Sequence, residues 1–261
     1  MNNALKARDP DDHHSASWLE LLFDLAFVVA LASTTHTLVG MAMPEGLLQF
    51  IVTFLLLAGC WAGFIIWVSV FEGAVKWHFV ALSQIALVLL LATHHDFYED
   101  DYFNFIVIYS LLRGVSLGMY LYVWRNLPEA RVFARVQVVG VMITLVPLWA
   151  GWWIGDAALR EPLFFMTALL QMLIAPLAFV WDKNIAFNVA HIPEQMGLFV
   201  CLTLGEGFLA VSHVSELVNV VTPQVLMNGL LCVAIIYGLW RMYFGMLSDI
   251  QFHGHHRRAV F

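Results

Sequence analysis

Charge is scarce in this chain. Only 12% of its 261 residues are Asp, Glu, Lys or Arg, against the roughly 25% of a soluble domain, and 61% are hydrophobic. That balance excludes a soluble globular fold and leaves a polytopic membrane protein. Basic clusters are missing too. With a net charge of −7 and no Lys/Arg run beyond a few residues, nucleic acid is excluded as a partner. Cysteine is sparse: Cys60, Cys201 and Cys232 lie in apolar runs without C-x-x-C spacing. Neither a disulfide framework nor a thiolate metal site is expected, and all three read as small buried packing residues. Lysine occurs only at Lys6, Lys76 and Lys183, outside every apolar run, which removes the mid-membrane amine that a retinal Schiff base needs. No nucleophile elbow or phosphate loop occurs. The pairs His13–His14 and His94–His95 and the cluster His253, His255, His256 sit in tails or a loop and read as solvated, so no metal and no cofactor is expected. A cleavable signal peptide is not expected either, because the first apolar run is long, begins with WLE and is interrupted by acids.

What the chain has is eight apolar runs, at 18–40, 47–71, 77–93, 102–124, 136–154, 162–181, 194–213 and 224–247. Each is near the ~20 residues that cross ~30 Å of hydrocarbon as a helix. The connections are short and carry breakers or charge: MPEG at 43–46, HHDFYEDD at 94–101, RNLPEAR at 125–131 and GDAALREP at 155–162. The expected fold is all-α: one polytopic transmembrane bundle of about eight spans over 17–247, with a polar, mobile tail at 1–16 and a polar, basic tail at 248–261. With the N-terminus inside, the cytoplasmic segments hold Lys6, Arg8, Lys76, Arg125, Arg131, Arg135, Lys183, Arg257 and Arg258, and the outer loops hold only Arg160. The positive-inside rule therefore places both termini in the cytoplasm. Trp18, Trp67, Trp77, Trp124, Trp149, Trp152, Trp153 and Trp181 fall near the run ends, as an interfacial aromatic belt requires.

The few charges inside the runs are the candidate functional residues. Glu20 and Asp24 lie one helical turn apart on a stripe with Phe27, Leu31, Thr34 and Thr35, and a carboxylate costs several kcal/mol in lipid, so this stripe must face other helices. Counted at 1.5 Å per residue, Asp24 and Arg241 both lie about 9 Å from the inner surface, while Arg113 and Glu206 lie about 17 and 18 Å deep. Level depths make Asp24 with Arg241, and Arg113 with Glu206, the expected pairs. On the seventh run Thr203, Glu206, Ala210 and His213 share a face, with Gly205 and Gly207 beside the acid to permit close helix approach. Such pairs either fix which helices meet or relay protons and ions. Pro147 and Pro176 lie within runs, where each frees a carbonyl one turn back, at Ile143 and Met172. His191 and Glu194 open the seventh run in HIPE, where capping by an acid at the positive helix end accounts for Glu194 without any chemistry.

Two blocks together, WLELLFDLAFVVAL and AHIPEQMGLFVCLTLGEGFLAV, resemble the paired signatures of the bacterial low temperature requirement protein A (LtrA) family. WAGF at 61–64, LLRG at 111–114, WRNLPEAR at 124–131 and LWRMYF at 239–244 extend the likeness over nearly the whole chain. The resemblance implies an integral protein of the bacterial cytoplasmic membrane, linked to growth in the cold, with Glu20, Asp24, Arg113, His191, Glu194, Gly205 and Glu206 at signature positions; it implies no agreed reaction. Three features depart from the family pattern. Gln195 stands where an arginine is expected, Gly207 stands for a serine, and the chain stops after the eighth run where family members usually continue. A shortened member, a fragment and a bundle completed by homo-oligomerisation all fit that stop. A transporter of a proton, ion or small solute is the leading reading. The alternatives are a membrane enzyme acting on a lipid-type substrate, with Glu206 and His191 as acid and base, and a sensor or scaffold of membrane state.

Overall fold

Among the described residues the chain forms eight α-helices: α1 (Trp18–Gly40), α2 (Glu45–Val70), α3 (Trp77–Ala92), α4 (Tyr102–Asn126), α5 (Arg131–Ile154), α6 (Ala157–Trp181), α7 (His191–Leu217) and α8 (Pro223–Arg258). The computed structural model describes residues 5–8, 17–40, 45–72, 77–92, 102–182, 185, 191–217 and 222–258, and the side chains of these except 35–40, 45, 77, 157, 191–193, 209–217 and 246–258. His13, His14, the 94–101 loop and Lys183 therefore lie outside the described residues, as do the side chains of Thr35, His191, His213 and the C-terminal histidines. Each apolar run is a helix because backbone polar groups in hydrocarbon must pair within their own segment. α2, α4, α5, α6 and α8 are long and apolar enough to cross a membrane, and α3 is a shorter apolar helix.

Local chemistry sets the helix ends. At α1, Ser17 Oγ accepts from the Glu20 amide at 3.3 Å and donates to Glu20 Oε1 at 2.8 Å, a variant of the capping box. Between α4 and α5 the expected seven-residue connection contracts: Leu127, extended as a residue before proline must be, leads into the 3-10 turn Pro128–Ala130, and α5 starts at Arg131. Asp182, just past α6, returns to cap α5 by accepting from the Phe133 amide at 2.9 Å. The α5–α6 connection is shorter still. Gly155 ends α5 at φ 72°, and Asp156 caps α6 by accepting from the Ala158 amide at 2.9 Å. Pro162, expected in that connection, lies inside α6.

Other expectations are corrected. Within the segment read as a mobile tail, Lys6–Ala7 (β1) pairs antiparallel with Phe71–Glu72 (β2), Lys6 opposite Glu72 and Ala7 opposite Phe71. Arg8 N donates to Val70 O at 2.8 Å, Lys6 Nζ meets Glu72 Oε1 at 2.6 Å, and Leu5 is buried. A two-residue ladder has too few positions to show a strand period in sequence. The C-terminal segment read as a tail from 248 continues α8 to Arg258. Trp67 is buried against Phe71 rather than standing in an interfacial belt, whereas Trp18 and Trp153 are exposed. Of the cysteines only Cys60 is buried; Cys201 is exposed.

The chain forms two compact units, Met1–Ile192 and Pro193–Phe261. In the first unit, helix contacts run α1–α2–α6–α5–α4–α3 and back to α1, closing a ring of six, with α2 and α4 touching across it. Its core is aromatic: the Phe23 and Phe64 rings pack tilted at 4.0 Å and Phe133 packs on Phe179 at 4.9 Å. The outward faces are apolar as well, with Leu22, Leu25 and Val29 of α1 exposed, the pattern of a helix that meets lipid on one side and protein on the other. In the second unit α7 and α8 run antiparallel. A methyl at Gly207 would stand 3.1 Å from Ile236 Cδ1, and one at Gly197 would stand 3.4 Å from Phe244 Cε1, so these α8 side chains pack over the glycines of α7.

Candidate functional site

The first polar locus is built on the α1 stripe. Glu20, Asp24, Phe27, Leu31 and Thr34 are all buried, as the cost of a carboxylate in lipid demands. Glu20 is held at the helix start by Ser17, so its role there is capping. Asp24 is fully enclosed, and Trp61 Nε1 of α2 donates to its Oδ1 at 2.6 Å. Asp24 Oδ2 has no hydrogen-bond partner. A buried carboxyl with one oxygen fixed and the other free can exchange a proton without losing its anchor.

The second locus is a cavity of ≈ 60 Å³ between α2, α4, α5 and α6. Gly59 and Gly63 of α2 form one wall, and Arg113, Tyr120, Gln137 and Gln171 bring the polar chemistry. Most of that chemistry is already engaged. Gln171 Nε2 donates to Leu55 O at 2.7 Å and Leu56 O at 3.0 Å, and its Oε1 accepts from Tyr109 OH at 2.7 Å. Tyr120 OH donates to Gly63 O at 3.0 Å. A Cβ on Gly59 would overlap the Gln171 side chain, so the glycine is what admits that amide. Two donors remain: Arg113 Nε and Gln137 Nε2 are buried without a hydrogen-bond partner. Arg113 lies beside Cys60, Tyr109 and Tyr120, all formally neutral groups. Met172, whose carbonyl cannot pair with the proline at Pro176, also lines the cavity.

The two loci meet at α2, where neighbouring residues face different ways: Cys60 towards Arg113, and Trp61 towards Asp24. Asp24 and Arg113 both belong to the first unit, whereas the partners expected for them, Arg241 and Glu206, belong to the second. Glu206 is half-buried on α7 and Arg241 is exposed on α8. Thr203 Oγ1 donates to Phe199 O at 2.8 Å, one turn back on its own helix. α7 starts at His191, which puts Glu194 in its first turn with an exposed side chain, as capping requires. Among the described residues, no three His, Cys, Asp or Glu converge on a metal-sized position.

Trp61, Gln137 and Gln171 were not among the residues singled out from sequence. A signal existed: an uncharged amide inside an apolar run also needs a partner, so Gln84, Gln137 and Gln171 mark inward faces as surely as the charges do. A family model described as bacterial low temperature requirement A protein (LtrA) matches residues 15–260. No curated protein and no solved structure matches the chain.

Proposed function

The chain belongs to the bacterial low temperature requirement A (LtrA) family, and on that premise we propose that it is a transport protein of the bacterial inner membrane that moves a proton, an ion or a small solute. Eight spans with both termini in the cytoplasm are part of this reading, supported by the nine basic residues on one side of the sequence-derived topology against Arg160 on the other. The observation that carries it is Asp24, wholly enclosed in a bundle of apolar helices, with Oδ1 held by Trp61 and Oδ2 left without a partner. A side chain that served only to join two helices would gain most by using both oxygens. Asp24 instead keeps one acceptor in reserve, which suits a group that takes up and releases a proton. Glu206, with Gly205 and Gly207 beside it on α7, is a second titratable acid of this reading.

The test is flux. Purified protein is reconstituted into liposomes loaded with a pH-sensitive dye, and a pH or ion gradient is imposed. The wild type is expected to dissipate the gradient and Asp24→Asn to lose that flux while staying folded, because an asparagine oxygen still accepts from Trp61. Glu206→Gln is expected to lose it as well. No flux from folded wild type under any gradient overturns the proposal.

A further inference from the structure

The first unit contains a cation with no anion to match it. Arg113 is 4% exposed, and no carboxylate of that unit's described residues lies within ion-pair distance. A guanidinium is a permanent cation, and an unpaired one in a low-dielectric interior costs several kcal/mol. Among the groups beside it, Tyr109 and Tyr120 already spend their hydroxyl protons on Gln171 and Gly63. Ser116, also on the cavity wall, accepts from Gln84 Nε2 at 3.3 Å. Dipoles of this kind soften the field of a cation and leave its charge in place.

Facing the same ≈ 60 Å³ cavity from the neighbouring helix is Gln137, also 4% exposed, whose Nε2 has no hydrogen-bond partner. Arg113 and Gln137 therefore bring to the lining of one cavity a positive charge and two buried N–H groups that have no hydrogen-bond partner among the described residues. A single water needs only about 10–15 Å³ of such space. The cavity exceeds that about fourfold, room for a small anion together with water. Water would satisfy the donors and leave the charge unmatched; a small anion does both.

We propose that the cavity lined by Arg113 and Gln137 is a binding site for one small monovalent anion, from chloride to bicarbonate in size. Arg113 supplies the charge and its Nε–H, and Gln137 supplies the second donor through Nε2. Gly59 and Gly63 leave the α2 wall of the cavity without side chains. The assignment goes beyond transport: it concerns equilibrium binding and holds whether or not anything crosses the membrane.

The test uses the purified full-length chain in detergent. Sodium gluconate, a bulky and weakly coordinating anion, is replaced stepwise by sodium chloride, nitrate or bicarbonate at constant ionic strength. Thermal unfolding is followed by tryptophan fluorescence, and radioactive chloride is counted by equilibrium dialysis. The wild type is expected to gain stability saturably, as a ligand of the native state requires, and to bind one chloride per chain. Gln137→Glu places a tethered carboxylate opposite Arg113. It is expected to unfold in gluconate at or above the wild-type midpoint, to ignore chloride, and to bind it at least about tenfold more weakly. Gln137→Leu removes the donor without adding charge, and its chloride affinity is expected to fall by about tenfold. Equal wild-type stability in gluconate and in all three small anions, with no bound chloride, overturns the site and points to a carboxylate of the chain as the partner of Arg113. Wild-type chloride affinity in either Gln137 variant overturns the assignment of Gln137.

Discussion

At the scale of single residues, the buried hydrogen bonds of the first unit are the features most exposed to test. Trp61 Nε1 to Asp24 Oδ1 is short and wholly enclosed. A double-mutant cycle of Trp61→Phe and Asp24→Ala, read by unfolding in detergent, is expected to give a coupling of about 1–3 kcal/mol, the range for a buried hydrogen-bonded pair. A coupling near zero would mean that the indole merely packs. Gln171 offers a sharper case, because one amide ties α6 to two α2 carbonyls and to Tyr109. Gln171→Leu strands those partners and should cost about 2 kcal/mol or more. Gly59→Ala should lower the unfolding midpoint too, since its methyl displaces the same side chain. Asp24 was legible in sequence as a buried group because charge in an apolar run has one explanation. Trp61 was not, since tryptophan in a membrane helix is equally at home in the core, in lipid or at the interface.

At the scale of elements, the helix ends were read least well and are the easiest to perturb. Every apolar run became a helix, but the α5–α6 connection shrank to Gly155 and Asp156. Gly155 is the one described residue with positive φ, so Gly155→Ala should destabilise by about 1 kcal/mol. Asp156→Ala, which removes the α6 cap, should cost about 0.5–2 kcal/mol. Thermal unfolding checks both, and full tolerance of both would show that packing alone sets the turn. The glycines flanking Glu206 should separate on α7. Gly205→Ala meets open space and should be harmless, whereas Gly207→Val crowds Ile236 of α8 and should destabilise by about 1–3 kcal/mol. Ends escape sequence reading because a cap is a single polar residue, while a run is a sum over many apolar ones. The S-x-x-E signal at Ser17 and Glu20 was present; the acid was weighed as a membrane charge instead.

At the scale of the whole molecule, the ring of six helices has an inside that chain order does not reveal. Cys60 is buried within it. A thiol reagent is expected to leave Cys60 unmodified in the folded protein and to label it at the rate at which the ring opens, while Cys201, exposed on α7, reacts at once. Early labelling of Cys60, followed by mass spectrometry, would contradict a closed ring. Composition and run length were enough to determine a membrane protein of eight helices, and the lipid cost of charge was enough to turn the Asp24 stripe inward, because both follow from sums over local chemistry. Which helices are neighbours did not follow. The closure of α6 on α2, the placing of Arg113 and Gln137 on one cavity, and the use of Trp61 rather than a basic residue to hold Asp24 depend on contacts between residues far apart in the chain, and hydrophobic periodicity carries no record of which apolar face meets which.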